Sequence, residues 1–94
     1  MKELRNLYVV YDIRDDSIRN ALSSILMEYG LHRVQYSVFN GIIPIRYKKE
    51  MIKRIMDLQL GEEDKIHVLD LCEKCYRNVI VIGKDTESRE HVIL

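Results

Sequence analysis

The chain has 94 residues, and its fifteen Lys and Arg balance fifteen Asp and Glu to a formal net charge of zero. That length fits one domain spanning 1–94, with a small core that removes only about 60–65% of the unfolded surface from water. A neutral chain is not one coated in positive charge. No apolar run reaches the roughly 18 residues that a membrane span needs. Lys2, Glu3 and Arg5 interrupt any signal-peptide pattern, so the expected compartment is cytoplasmic and no membrane partner is expected.

Leu7–Ile13 is a run of strand formers that predicts a central strand covered on both faces. It holds one carboxylate, Asp12. A carboxylate in a buried strand is costly unless paired, hydrogen-bonded or bound to a metal. Asp12 therefore reads either as a cap at the strand–helix junction or as a site residue. Asp15 or Asp16 can cap the next helix, whose apolar stripe is Ile18, Ala21, Leu22, Ile25, Leu26 and Tyr29, with Gly30 as its stop. Arg33–Ile43 is extended, either one bent strand or two short ones. Pro44 suits the start of a second helix, with Ile45, Met51, Ile52, Ile55, Met56 and Leu58 as its stripe and Gly61 as its end. Lys65–Leu71 predicts a strand, Cys72–Tyr76 a tight connection, and Val79–Ile82 a last strand ended by Gly83. The tail 84–94 is polar and then apolar, and Val92–Leu94 suits packing on a partner protomer.

The order strand, helix, strand, helix, strand, strand predicts an α+β, ferredoxin-like sandwich. Two helices cover one face of a four- to five-stranded, mostly antiparallel sheet. A bare apolar sheet face on so small a chain implies a homodimer formed through the sheets. Charge is uneven along the chain: Arg14 to Arg54 has eight basic residues against four acidic, and Asp57 to Glu90 has five against nine. Lys48, Lys49, Lys53 and Arg54 fall off the apolar stripe of the second helix. They read as a solvated face or as contacts to a nucleic-acid backbone.

Three segments together carry a resemblance: Val9-Val10-Tyr11-Asp12-Ile13, Arg33-Val34-Gln35-Tyr36-Ser37-Val38-Phe39, and Leu71-Cys72-Glu73-Lys74-Cys75 before the last apolar run. From Leu7 to about Gly83 the chain resembles the small CRISPR-associated adaptation protein family. The resemblance implies a ferredoxin-like homodimer that acts as a metal-dependent endoribonuclease and bridges an integrase in spacer acquisition, with RNA or double-stranded DNA as its nucleic acid. Matched by position, it implies a metal-binding Asp12 with Tyr11 before it, and site arginines at Arg19 and Arg33. Ser37 and Phe39 lie further along the second strand region. Ala21 stands where some relatives carry a further arginine; if that arginine holds a phosphate, this chain has lost the contact.

One carboxylate makes a poor Mg²⁺ or Mn²⁺ site, because these ions favour octahedral oxygen ligands. A two-fold axis beside Asp12 would let one ion be shared by the Asp12 residues of two protomers. On that reading Arg19 and Arg33 neutralise a phosphoryl group, Tyr11 orients a water and Phe39 stacks on a base. The simpler readings are salt-bridging arginines and a core phenylalanine.

Cys72 and Cys75 form one Cys-x-x-Cys element. A structural zinc site needs four ligands, and His67 is poorly placed in a strand. A thioredoxin-like redox pair is expected to open a helix after a strand within a βαβ unit, which is not the predicted context. The pair reads as two reduced thiols in a turn, with a disulfide or a four-cysteine site pooled across a dimer as alternatives. Competing with the nuclease are a non-catalytic double-stranded-DNA-binding dimer that bridges integrase subunits, a small-molecule-sensing domain of the same fold, and a ribonuclease toxin. An RNA-recognition module is disfavoured, since its paired strand aromatics are missing.

Overall fold

The computed structural model describes residues 3–83. Its first strand, β1 (Leu4–Asp12), starts before the apolar run because pairing sets its length. It runs antiparallel to β3 (Val38–Pro44) from Leu4 opposite Pro44 to Val10 opposite Val38. On its other edge it runs antiparallel to β4 (Lys65–Leu71) from Asn6 opposite Leu71 to Asp12 opposite Lys65. A short strand, β2 (His32–Gln35), pairs with β3 through an irregular register between Arg33 and Gln35. The sheet order is β2-β3-β1-β4, all antiparallel. The extended stretch is thus two strands, reversed at Tyr36 and Ser37.

Helix α1 (Asp16–Glu28) starts at Asp15, whose carboxylate accepts from the backbone N–H groups of Ser17 and Ile18 at 2.8 and 3.1 Å. The Ser17 hydroxyl, then the N–H groups of Ile18 and Ser17, hold Asp15 below the usual carboxylate pKa. Gly30 follows the helix at φ +100°, a conformation L side chains avoid. Helix α2 (Ile45–Met56) begins right after Pro44 and is capped at Asp57, short of Gly61. Met51 and Ile55 carry its buried stripe, whereas Met56 is 76% exposed, contrary to its place in the predicted stripe.

Strand alternation divides the sheet into two unlike faces. Leu7, Val9, Tyr11, Phe39 and Ile43 are buried with Leu22, Ile25 and Leu26 of α1 and Met51 and Ile55 of α2. Gly41 permits close approach there: a Cβ would lie 2.9 Å from Leu31 Cα. The opposite face carries Leu4, Ile42 and Leu69, which are 58%, 58% and 47% exposed. Near its middle Asn40 Nδ2 donates to Asn6 Oδ1 and to the Leu7 carbonyl at 2.9 and 2.7 Å. β1 is central, but the expected cover on both faces is not found: among the described residues both long helices pack on one side.

Two expectations are corrected after β4. Cys72–Tyr76 is no simple turn, because Cys72 caps a short helix, α3 (Glu73–Arg77). Val79–Ile82 is not a strand in the described chain. A strand needs a hydrogen-bonded neighbour, and this run pairs with neither edge of the sheet. The tail 84–94, with Val92–Leu94, lies outside the described residues. No helix among the described residues is long and apolar enough to cross a membrane.

Candidate active site

Asp12 is the last residue of β1 and is exposed, so no desolvation penalty has to be offset there. Among the described residues its carboxylate makes no hydrogen bond or ion pair, and neither does the side chain of Lys65, its partner across the ladder. Nearby acidic groups are spent elsewhere: Asp64 Oδ1 accepts from Arg14 N at 3.1 Å, and Glu63 pairs with the Arg14 guanidinium at 2.6 Å. Asp15, three residues on, is the helix cap. The expectation of a buried carboxylate is therefore corrected, as is the expectation that Asp12 caps the junction. Its side chain lies on the open face of the sheet.

Tyr11 precedes Asp12 and so points to the helix side, where it is buried. Its hydroxyl donates to the Tyr36 carbonyl at 3.3 Å and lies 3.5 Å from Ser23 Oγ. Arg33 reaches the same place. Its Nη1 donates to the Tyr36 carbonyl at 2.5 Å and its Nη2 to Ser23 Oγ at 3.3 Å. The Arg33 guanidinium also lies 4.9 Å from the centroid of the Phe39 ring, and the Tyr11 and Phe39 rings are 6.3 Å apart. Arg19 projects from the first turn of α1 back to the end of β1. Its Nη1 donates to the carbonyls of Ile13 and Arg14 at 2.9 and 3.1 Å, and its Nη2 contacts Asp16. Tyr11, Arg19, Asn20, Ser23, Arg33 and Tyr36 line one small polar cleft.

The structure thus gathers Tyr11, Arg19, Arg33 and Phe39 on the helix side, and leaves Asp12 on the other face. Phe39 is wholly buried, which removes the ring as a stacking surface for a base. Ser23, Asn20 and the Tyr36 carbonyl complete the cleft and were not marked by sequence. Ser23 sits one residue from Leu22 on the buried face of α1, which is the only sequence signal it offers. Ser37, on the turn between β2 and β3, accepts from Tyr11 N at 3.1 Å through its carbonyl.

A model of the family described as "CRISPR associated protein Cas2" matches residues 6–79. The chain belongs to the Cas2 family. It is 36% identical over 88 residues to "CRISPR-associated endoribonuclease Cas2 2" of Methanospirillum hungatei JF-1, covering 94% of this chain and 97% of that relative. It is 36% identical over 75 residues to "CRISPR-associated endoribonuclease Cas2 1" of Archaeoglobus fulgidus, covering 80% of each. A solved hypothetical protein of Thermus thermophilus matches with a TM-score of 0.74 at 31% identity, over 88% of this chain and 95% of that one. A structure titled as that of cas2 matches with a TM-score of 0.72 at 25% identity, over 97% and 100%. The α+β fold inferred from element order is therefore the fold of Cas2 structures.

In this Cas2 chain the basic residues of α2 divide into two kinds. Lys48 pairs with Asp70, which Arg5 also holds at 2.8 Å. Burial opposes ionisation of Asp70, but the hydrogen bonds of Lys48 and Arg5 outweigh it and keep the carboxyl below its usual range. Arg54 pairs with Glu28 at 2.8 Å and lies over the Tyr29 ring. Hydrogen bonds that Arg54 donates to Glu28, and then to Tyr29, raise the Arg54 pKa. Lys49 and Lys53 are exposed and have no hydrogen bond or ion pair among the described residues. Of the four basic residues read off this helix, Lys48 and Arg54 are thus held in ion pairs, and Lys49 and Lys53 are not, among the described residues.

Proposed function

We propose that this chain is a CRISPR-associated, divalent-metal-dependent endonuclease of endoribonuclease type, working in spacer acquisition with an integrase partner. The observation that carries the reading is the unpartnered Asp12 carboxylate beside an exposed apolar sheet face, in a chain whose relatives are named endoribonucleases. A free carboxylate oxygen is a fitting ligand for Mg²⁺ or Mn²⁺. One chain is not enough, because the described residues contain no group of three or more His, Cys, Asp or Glu able to hold a metal. Pairing two chains through the Leu4, Ile42 and Leu69 face would bury that apolar surface and supply a second Asp12. A shared ion would polarise a phosphate oxygen and acidify a bound water.

The protein's own groups have distinct parts in this reading. Asp12 supplies ligand oxygen. Arg19 and Arg33 keep unused N–H donors beyond the bonds they make, and bring positive charge to a phosphate near the end of β1. Tyr11 and Phe39 hold Arg33 in place. Lys49 and Lys53 contact the backbone of RNA or duplex DNA without reading sequence. The test is cleavage of labelled single-stranded RNA and double-stranded DNA with Mg²⁺ or Mn²⁺ by wild type and Asp12→Asn. A rate lower by roughly 100-fold or more is expected of the variant, the scale of losing one transition-state electrostatic contact.

A second reading, a non-catalytic dimer that bridges integrase subunits on double-stranded DNA, is favoured by Ala21, which leaves a position without an arginine on α1. It shares the dimer and the basic helix with the first. It predicts duplex binding that Asp12→Asn does not alter and no cleavage by either protein.

A further inference from the structure

The Cys-x-x-Cys element takes no part in the site above, and its structural setting differs from the turn that its sequence predicts. Cys72 follows β4 directly and caps α3, so the pair opens a helix after a strand. Both thiols are free and exposed. The turn between them is closed by the Tyr76 N–H donating to the Cys72 carbonyl at 2.9 Å. The Cys75 N–H points at Cys72 Sγ at 3.5 Å. Residues three apart in a helical turn lie on one face, with Cβ atoms about 5–6 Å apart. A disulfide holds its Cβ atoms about 3.5–4.5 Å apart, so closing this one draws the first turn of the short helix α3, none of whose residues is buried, together by about 1–2 Å.

We propose that Cys72 and Cys75 form a redox-active dithiol that exchanges with disulfides of the glutathione type, Cys72 attacking and Cys75 resolving. In the first step Cys72 Sγ attacks one sulfur of the disulfide. The S–S bond breaks, one thiolate leaves, and a mixed disulfide remains on Cys72. In the second step Cys75 gives its proton to water and its sulfur attacks Cys72 Sγ. The second thiolate leaves and the Cys72–Cys75 bond forms. The chain loses two electrons, and the disulfide is reduced to two thiols. The two sulfurs are unequal in the direction these roles need. The Cys75 N–H and the Cys75 thiol, both donating to Cys72 Sγ, lower its pKa, while donating to Cys72 raises that of Cys75.

Cys72 also borders a cavity of about 550 Å³ lined by Leu4, Asn6, Ile42 and Leu71 of the open sheet face together with Tyr76. Oxidation would therefore alter the edge of that face, although the exchange chemistry does not depend on how Asp12 is read.

The test treats the full-length reduced protein with graded ratios of reduced to oxidised glutathione and counts free thiols by maleimide labelling and intact mass. Wild type is expected to lose two thiols together as a monomeric internal disulfide, reversed by dithiothreitol. Cys75→Ser is expected to accumulate one glutathione on Cys72, and Cys72→Ser to react at least about ten-fold more slowly, following thiolate fraction. Four results would overturn the proposal: thiols that stay fully labelled in oxidised glutathione, equal reaction rates of the two variants, a disulfide only between chains, or thiols masked by stoichiometric zinc that a chelator releases. Circular dichroism of both variants confirms that they are folded.

Discussion

The two faces of the sheet show how one short motif serves two ends. Tyr11 and Asp12 are adjacent in sequence, yet strand alternation sends them to opposite sides. On the helix side polar groups are tied together: the Tyr11 hydroxyl, Ser23, Arg33 and the Tyr36 carbonyl share hydrogen bonds around a buried Phe39. On the open side Asp12 is exposed and its carboxylate makes no bond among the described residues, beside leucines and an isoleucine left half in water. The first set builds the scaffold that fixes the end of β1, and the second is left available. A substitution on the helix side should therefore cost stability first, and one on the open side should cost function alone.

Phe39→Ala tests the helix side most severely. Removing a fully buried ring costs about 3–5 kcal/mol, which is much of the stability of so small a domain. Urea titration should show an unfolded or nearly unfolded protein, with Phe39→Leu far milder. A Phe39→Ala midpoint close to wild type would show that the ring is not a core element. Asp70→Asn should cost about 1–3 kcal/mol by removing the charge and one of the two oxygens that Lys48 and Arg5 share. The folded-state pKa of Asp70 is depressed, so its contribution is present above the ordinary carboxylate pKa of about 4 and is lost as pH falls through the lower folded value. Denaturation followed from pH 6 down to pH 2 should show wild type losing more stability than Asp70→Asn over that acid window. Parallel curves would remove the linkage.

Arg33→Gln should cost about 1 kcal/mol, from the Ser23 bond and the Phe39 ring contact. It should also slow cleavage, so it mixes scaffold and chemistry. The smallest expected effect belongs to the free cations of α2. Lys49→Glu with Lys53→Glu should leave the melting temperature unchanged and reduce the slope of log affinity against log salt by roughly two. An unchanged slope would place the nucleic acid elsewhere.

Much of this was legible in the chain. Lys65–Leu71 is the observed β4, and the Asp15 cap and Gly30 stop bound α1 as read. These features are local: periodicity, a capping side chain, a glycine at positive φ. What sequence misplaced depends on neighbours. Asp12 looked buried because its strand is apolar, but the described residues cover only one face of that strand. Met56 fits the helical period, but it borders an open cavity beside Lys65–Val68 of β4 and stays exposed. Lys48 and Arg54 look like solvent-facing cations until Asp70 on β4 and Glu28 on α1 are brought alongside. Val79–Ile82 has strand composition and no neighbour among the described residues. Ser23 gave no signal beyond its place beside Leu22, because its role exists only once Arg33 crosses to it from β2.

The central claim is that Asp12 serves chemistry and not folding. The most direct measurement sets wild type beside Asp12→Asn, purified identically, and records both the urea midpoint and Mg²⁺-dependent cleavage of labelled single-stranded RNA. An unchanged midpoint with cleavage lost only in the variant is the predicted result. Equal cleavage by the two proteins, or a midpoint that falls along with cleavage, would contradict it.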